Sequence, residues 1–180
     1  MTDKELLANI KAGKKEYYEV LYERYADKIY RKCIGMTHDP DAAEDLVHDI
    51  FIKIITKIDT FKGLSKFSLW VHSITYNHCI NFLLKRNKVR RQNNSNIEPE
   101  DIPILNIEAE HEELKNLRVE QLRQFMEQLK PIEKAILLAR YQDEMSVKQI
   151  ALTFKMNDSA VKMRLKRGRD KLAELFKKVD

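Results

Sequence analysis

The sequence contains little glycine, proline or cysteine, and it has no long hydrophobic run. With 4 glycines and 4 prolines among 180 residues, it offers few of the turns that strand-rich folds require, so an almost entirely helical chain is expected. Cys33 and Cys79 lie far apart without a partner motif, so no disulfide framework is implied. No apolar segment approaches the ~20 residues of a membrane-spanning helix, and the N-terminus lacks a hydrophobic signal region. These absences predict an all-α, cytoplasmic protein without membrane insertion.

The few prolines and the spacing of apolar residues divide the chain into predicted helices. Pro40 and Pro131 each fit the first turn of a helix, where a missing N–H costs no hydrogen bond. Residues 88–106 are polar and contain Pro99 and Pro103, which is typical of a linker. The predicted helices cover residues 3–11, 16–36, 40–58, 65–87, 107–129, 132–141 and 147–154, and a last helix follows a cap at Asn157 or Asp158. We therefore expect two small helical domains, 1–90 and 113–180, joined by a flexible linker at 91–112.

Charge is distributed unevenly along the chain, whose net charge is +5. Cations crowd residues 85–91 and the last helix, whereas residues 98–113 carry a concentration of acids. A sign asymmetry of this kind indicates two basic contact surfaces joined by an acidic segment.

The segment 146–171 has the pattern of a helix-turn-helix. Ser146 and Gln149 form a capping box for the first helix, and the turn Met156-Asn157-Asp158 separates it from the second. Val161 and Leu165 begin the apolar stripe of the second helix, while its cations point elsewhere. This arrangement favours a recognition helix that enters the DNA major groove over the alternative, a solvated basic face on an ordinary helical hairpin.

The fourth predicted helix carries a row of polar residues. Ser73, Asn77 and Asn81 follow one another at i, i+4 and i+8, and the helix then runs into Lys85 and Arg86. An asparagine amide can pair with a base edge through its donor and its acceptor, and the cations suit phosphates. The row therefore suits readout of a DNA strand, although asparagines on an exposed helix face need no special explanation. The neighbouring aromatic residues Phe67 and Trp70 have helical spacing and are expected in the core.

The third predicted helix bears an acidic stripe opposite its apolar face. Asp41, Asp45 and Asp49 are four residues apart, with His48 beside them. Asp41 lies in the first turn, where the helix dipole favours an acid, but Asp49 lies beyond that influence. Since acids repel DNA phosphates, the stripe fits a basic protein surface, unless it is only a solvated face.

The sequence shows no catalytic constellation and no metal or cofactor site. His72 and His78 do not share a helix face, and the histidines and cysteines lack the short spacings that zinc ligands usually have. No nucleophile–base pair, phosphate loop or paired-carboxylate site is present, so intrinsic catalysis is not expected. One non-enzymatic alternative is a stand-alone helix-turn-helix regulator that binds duplex DNA without a polymerase. That function would leave the polar row and the acidic stripe unused.

In combination these segments resemble the bacterial extracytoplasmic-function (ECF) sigma factors, the small class of RNA polymerase specificity subunits. The resemblance spans about residues 15–178 and depends on three runs, which begin at Asp41, Lys66 and Leu129. They read D-A-A-E-D-L-V-H-D-I-F-I-K-I, K-F-S-L-W-V-H-S-I-T-Y-N-H-C-I-N-F-L and L-K-P-I-E-K-A-I-L-L-A-R-Y, the last leading into the helix-turn-helix. Their order and spacing are specific to the family.

The resemblance implies partners and residue roles. Promoter DNA and core RNA polymerase, through the clamp helices of its largest subunit and its flap, would be partners, and an anti-sigma factor commonly occludes such proteins. The implied clamp-binding residues are Asp45, His48 and Asp49. The implied contacts to the promoter −10 element are Ser73, Asn77, Asn81, Lys85 and Arg86, and those to the −35 element are Ser159, Lys162, Met163, Arg164, Lys166 and Arg167.

Two positions depart from the pattern that the resemblance implies. His48 stands where the family usually has glutamine or a carboxylate, which weakens the expected clamp contact. Met163 offers no hydrogen bond where small polar residues are common, so its base contact is expected to be van der Waals only.

Overall fold

The computed structural model describes residues 1–93 and 111–178, and every regular element in those ranges is a helix. The helices are α1 (Asp3–Lys11), α2 (Tyr17–Thr37), α3 (Pro40–Lys57), α4 (Phe67–Asn93), α5 (His111–Glu127), α6 (Pro131–Tyr141), α7 (Val147–Phe154) and α8 (Asp158–Lys177), with a 3-10 turn at Ile58–Thr60 after α3. The predicted all-α fold is confirmed for the described residues. None of these helices is long and apolar enough to cross a membrane.

Side-chain caps fix where several helices begin. The Asp39 side chain accepts a hydrogen bond from the backbone N–H of Ala42 at the start of α3, and Pro40 occupies the first turn. Ser146 and Gln149 form the predicted capping box of α7. The cap of α8 is Asn157, whose side chain accepts from the N–H of Ala160 at 2.7 Å, which decides between the two predicted candidates.

The end of α4 differs from the predicted one. Helix α4 continues to Asn93, beyond the predicted end at Asn87. The polar run at 88–93 was assigned to the linker for its composition, yet lysine, arginine and glutamine are good helix formers. The predicted start of the next helix at Ile107 and most of the linker at 91–112 lie outside the described residues, although α5 already includes 111 and 112.

The N-terminal unit, residues 1–93, is held together by apolar faces of α1 to α4. Buried side chains of these helices form its core, among them Leu6, Leu21, Tyr25, Ile29, Met36, Leu46, Ile50, Ile54, Phe67 and Val71. The Tyr25 and Phe67 rings meet edge to face, with centroids 5.6 Å apart. Cys33 on α2 and Cys79 on α4, unrelated in the sequence, are both buried free thiols with sulfurs 3.7 Å apart.

The C-terminal unit, residues 111–178, consists of α5 to α8. Ile136, Ile150, Val161 and Leu165 are among its buried side chains, and Phe125 of α5 packs edge to face on the half-buried Phe176 of α8. The two units also pack against each other, because α6 and α7 contact α2 and α4. Their buried residues form one continuous hydrophobic cluster.

Candidate nucleic-acid interface

The polar row lies on α4 as predicted, but its members differ in accessibility. Asn77 and Asn81 are exposed, whereas Ser73 is half-buried. The Asn77 amide donates to the backbone carbonyl of Ser73 at 2.8 Å, which fixes the orientation of the amide on the helix. Because their side chains are exposed, Asn77 and Asn81 are accessible from the solvent, whereas Ser73 is partly covered.

Two of the predicted DNA contacts on α4 are engaged by the C-terminal unit. The Ser73 hydroxyl donates to the backbone carbonyl of Thr153 in α7 at 2.8 Å. Arg86 lies over the Phe82 ring, 5.8 Å from its centroid, and its guanidinium is 3.5 Å from a Glu127 carboxylate oxygen. Lys85, by contrast, is exposed.

The aromatic residues near the start of α4 belong to the core, as the sequence indicated. Phe67 is buried and stacks on Trp70 with ring centroids 5.4 Å apart, and Phe61 contacts both rings. Trp70 is half-buried. Packing within this aromatic cluster explains the positions of the rings, so stacking on a nucleic-acid base is not needed to explain them.

The acidic stripe lies on the solvent face of α3, where Asp45, His48 and Asp49 are all exposed. Asp49 is 3.5 Å from the Nε2 atom of His78 on α4, so it is loosely held in place. Burial and the nearby Lys53 lower the pKa of His78, which weakens this pairing near neutral pH. The three residues thus present an accessible acidic surface next to the α4 row.

The helix-turn-helix forms from α7 and α8 with the geometry that the sequence predicted. Val161 and Leu165 of α8 are buried against the rest of the unit. Arg164 is half-buried, and the other predicted −35 contacts are exposed, namely Ser159, Lys162, Met163, Lys166 and Arg167. Helix α8 therefore exposes a basic face to the solvent.

No sequence pattern indicates the polar cluster at the contact between the units. Asp143, in the turn between α6 and α7, is 2.9 Å from Lys32 of α2 and accepts a 2.6 Å hydrogen bond from the Tyr76 hydroxyl of α4. These residues are up to 111 positions apart in the chain. No local motif could connect them, and Tyr76 fits the apolar stripe of α4.

The described residues include an acidic face on α3 and basic faces at the end of α4 and on α8. Among the residues that the structure describes, no group of three or more histidine, cysteine, aspartate or glutamate side chains is placed to hold a metal ion.

Two profiles of one protein family match the two units. Sigma-70 region 2 matches residues 21–89, and Sigma-70 region 4 matches residues 119–172, so together they cover more than half of the chain. The chain belongs to the ECF sigma factors. It is an alternative sigma factor that directs transcription initiation, and proteins of this kind are generally regarded as non-enzymatic regulators.

Characterised relatives match along most of their length. The RNA polymerase sigma-H factor of Pseudomonas aeruginosa is 26% identical over 176 residues, which is 93% of this chain and 90% of the relative. The ECF sigma factor SigX of Bacillus subtilis is 21% identical over 155 residues, or 85% of this chain and 80% of the relative.

Solved structures share the fold over nearly the whole chain. CnrH, solved in complex with the cytosolic domain of CnrY, has a TM-score of 0.68 at 17% identity, and the match covers 97% of both chains. The sigma factor RpoE of Bartonella quintana, solved with the anti-sigma factor NepR, has a TM-score of 0.65 at 20% identity, covering 89% of this chain and 96% of that one.

Proposed function

We propose that this sigma factor binds the core RNA polymerase through the acidic face of α3. Asp45, His48 and Asp49 are exposed together on one side of α3, and their charge is complementary to a basic protein surface. The clamp helices of the largest subunit are the expected partner. The observation that carries the proposal is that the three side chains are exposed together on α3, with Asp49 3.5 Å from His78 of α4 and so next to the α4 row.

Promoter recognition is divided between the two units. Residues 1–90 would bind the −10 element, with Ser73, Asn77 and Asn81 reading a separated strand and Lys85 and Arg86 holding its phosphates. Capture of an extruded base would offset the few kcal/mol that unstacking costs and so promote melting of the duplex.

The C-terminal unit, residues 113–180, would read the duplex −35 element through α8. The exposed side chains Ser159, Lys162 and Met163 lie near the start of the recognition helix, where base edges are read in related motifs. Further along α8, Arg164, Lys166 and Arg167 suit phosphates. The flap would hold this unit on the polymerase, with 91–112 as the linker.

We also expect regulation by a partner protein and a location in the cytoplasm. The sigma factor RpoE of Bartonella quintana was solved with an anti-sigma factor, and we expect an anti-sigma factor to control this chain as well. Since it would act with the polymerase, we expect it in the cytoplasm. It would have no catalytic activity, since nucleotide polymerisation belongs to the core enzyme, and it would need no cofactor.

Core binding is tested by removing the acidic face. We expect Asp45→Ala combined with Asp49→Ala to weaken binding to core polymerase about tenfold or more, because paired interfacial charges contribute roughly 1.5 kcal/mol or more. The dissociation constant is measured by fluorescence titration of labelled protein with core polymerase.

A matched control removes the same number of negative charges from a different helix. Glu19 and Glu23 are exposed on α2 with the same four-residue spacing, so Glu19→Ala with Glu23→Ala should leave core binding unchanged. If both double variants and the native protein have equal dissociation constants, the acidic face of α3 is not part of the polymerase interface.

A further inference from the structure

The contact between the two units covers part of the −10 face of α4. Helix α7 lies against α4, the Tyr76 and Phe154 rings meet at 5.4 Å, and Ser73 is hydrogen-bonded to Thr153. Gly35 of α2 faces α6, since a side-chain carbon there would lie 3.3 Å from Cδ1 of Leu138. Promoter DNA and the C-terminal unit would thus compete for the same surface of α4.

Glu127 places a carboxylate among cations of both units. Its Oε1 atom is 3.0 Å from Nδ1 of His38, at the end of α2, and its Oε2 atom is 3.5 Å from Arg86 of α4. Lys134, in the C-terminal unit with Glu127, contacts Oε1 as well. Burial opposes ionisation of Glu127, yet hydrogen bonds from His38 and Lys134 outweigh it and hold the pKa near 2, so the carboxylate is an anion at neutral pH.

His38 and Arg86, the two N-terminal donors, would lose this carboxylate if the units separated. Lys134 would keep Glu127, since both belong to the C-terminal unit, whereas His38 and Arg86 would be left without it. Both present N–H donors, and Arg86 also carries a charge suited to a phosphate. The His38–Arg86 pair is therefore an anion site that Glu127 fills only in the docked arrangement.

The rest of the contact includes buried apolar side chains and one ion pair, and the ion pair gives little net resistance to separation. The side chains of Asp143 and Lys32 are only 9% and 4% exposed, so their ion pair is almost completely shielded from solvent. Desolvation offsets much of the attraction in such a pair, and water would solvate both groups after separation. Interfaces between domains of one chain commonly resemble transient ones, and a ligand that binds the open form shifts the population towards it.

We propose that in the free sigma factor the C-terminal unit acts as an internal competitor of promoter DNA, with Glu127 occupying a phosphate site formed by His38 and Arg86. The site becomes available when the units separate, and a phosphate of the non-template strand then takes the place of the carboxylate. This inference rests on the proposed −10 role of α4, adds His38 to it, and explains why Arg86 is not exposed in the docked protein.

The test measures binding of the full-length protein, without polymerase, to a short fluorescein-labelled oligothymidylate. Since the site holds phosphate, no promoter sequence is needed. Glu127→Gln should tighten binding roughly tenfold, the effect of one charge-assisted hydrogen bond. Glu120→Gln is the control, because it makes the same charge change in α5 at an exposed residue whose ion pair is with Arg123 of the same helix. It should bind like the native protein.

Two further variants locate the effect. Adding Arg86→Gln to Glu127→Gln should abolish the gain, because the site is then incomplete. Asp143→Asn leaves Lys32 without a charged partner in the docked state, so it should enlarge the radius of gyration in small-angle scattering and also tighten oligothymidylate binding. This second route keeps the test valid if Glu127→Gln destabilises the C-terminal unit.

The proposal is overturned if Glu127→Gln and Glu120→Gln bind alike, if the gain survives Arg86→Gln, or if Asp143→Asn opens the protein without tighter binding. These results are independent of the polymerase. Failure of the native protein to initiate transcription with core enzyme would instead contradict the proposed function, so the two failures are distinguishable.

Discussion

At the scale of single residues, His72 gives the clearest link between packing and pH. Among the described residues, its Nδ1 atom is buried without a hydrogen-bond partner. Burial, reinforced by the charge of Lys32 and opposed by that of Asp143, lowers its pKa from 6.5 to about 4. The ring is therefore neutral in the folded protein over the pH range in which the unfolded chain becomes protonated.

The sign of the resulting pH dependence follows from linkage. Between pH 6.5 and about 4 the unfolded state binds the proton first, so the free energy of unfolding falls as the pH falls. Its slope should reach at most about 1.4 kcal/mol per pH unit from this group. Urea unfolding at several pH values measures it. His72→Gln should flatten this part of the profile, and an unchanged profile would show that His72 does not titrate in this way.

At the scale of helices, the α8 cap links local sequence to DNA recognition. Asn157→Ala removes the acceptor for the Ala160 N–H and should cost about 1 kcal/mol of stability. Since the first turn of α8 carries Ser159, binding to duplex −35 DNA should weaken as well. Thermal unfolding and a duplex-binding titration check both effects. Asn157→Asp keeps a capping oxygen, so a loss of stability as large as that of alanine would contradict the capping role.

Most helices could be predicted because their ends carry local signals. The Ser146–Gln149 box and Pro40 act within a few residues, and apolar spacing shows which face is buried. The end of α4 was misplaced because a charged run of good helix formers has the same composition as a linker. The contacts of Glu127 and Asp143 with the N-terminal unit were not predictable, since they join charged residues far apart in the chain without periodicity.

At the scale of the whole molecule, we infer that function depends on the exchange of one set of contacts for another. The acidic face of α3 and the basic face of α8 are exposed in the docked protein, so polymerase and duplex DNA could begin to bind before the units separate. Ser73 and Arg86 would become available only after separation, since both contact the C-terminal unit in this structure. Binding energy from the polymerase would thus be coupled to exposure of the −10 face.

The most direct measurement of the central claim is run-off transcription with bacterial core polymerase on fragmented genomic DNA from the source organism, with and without this protein. The account predicts discrete new transcripts whose upstream regions share motifs at −10 and −35. No new transcripts, together with tight binding to duplex DNA in the absence of core polymerase, would contradict it and favour a stand-alone regulator.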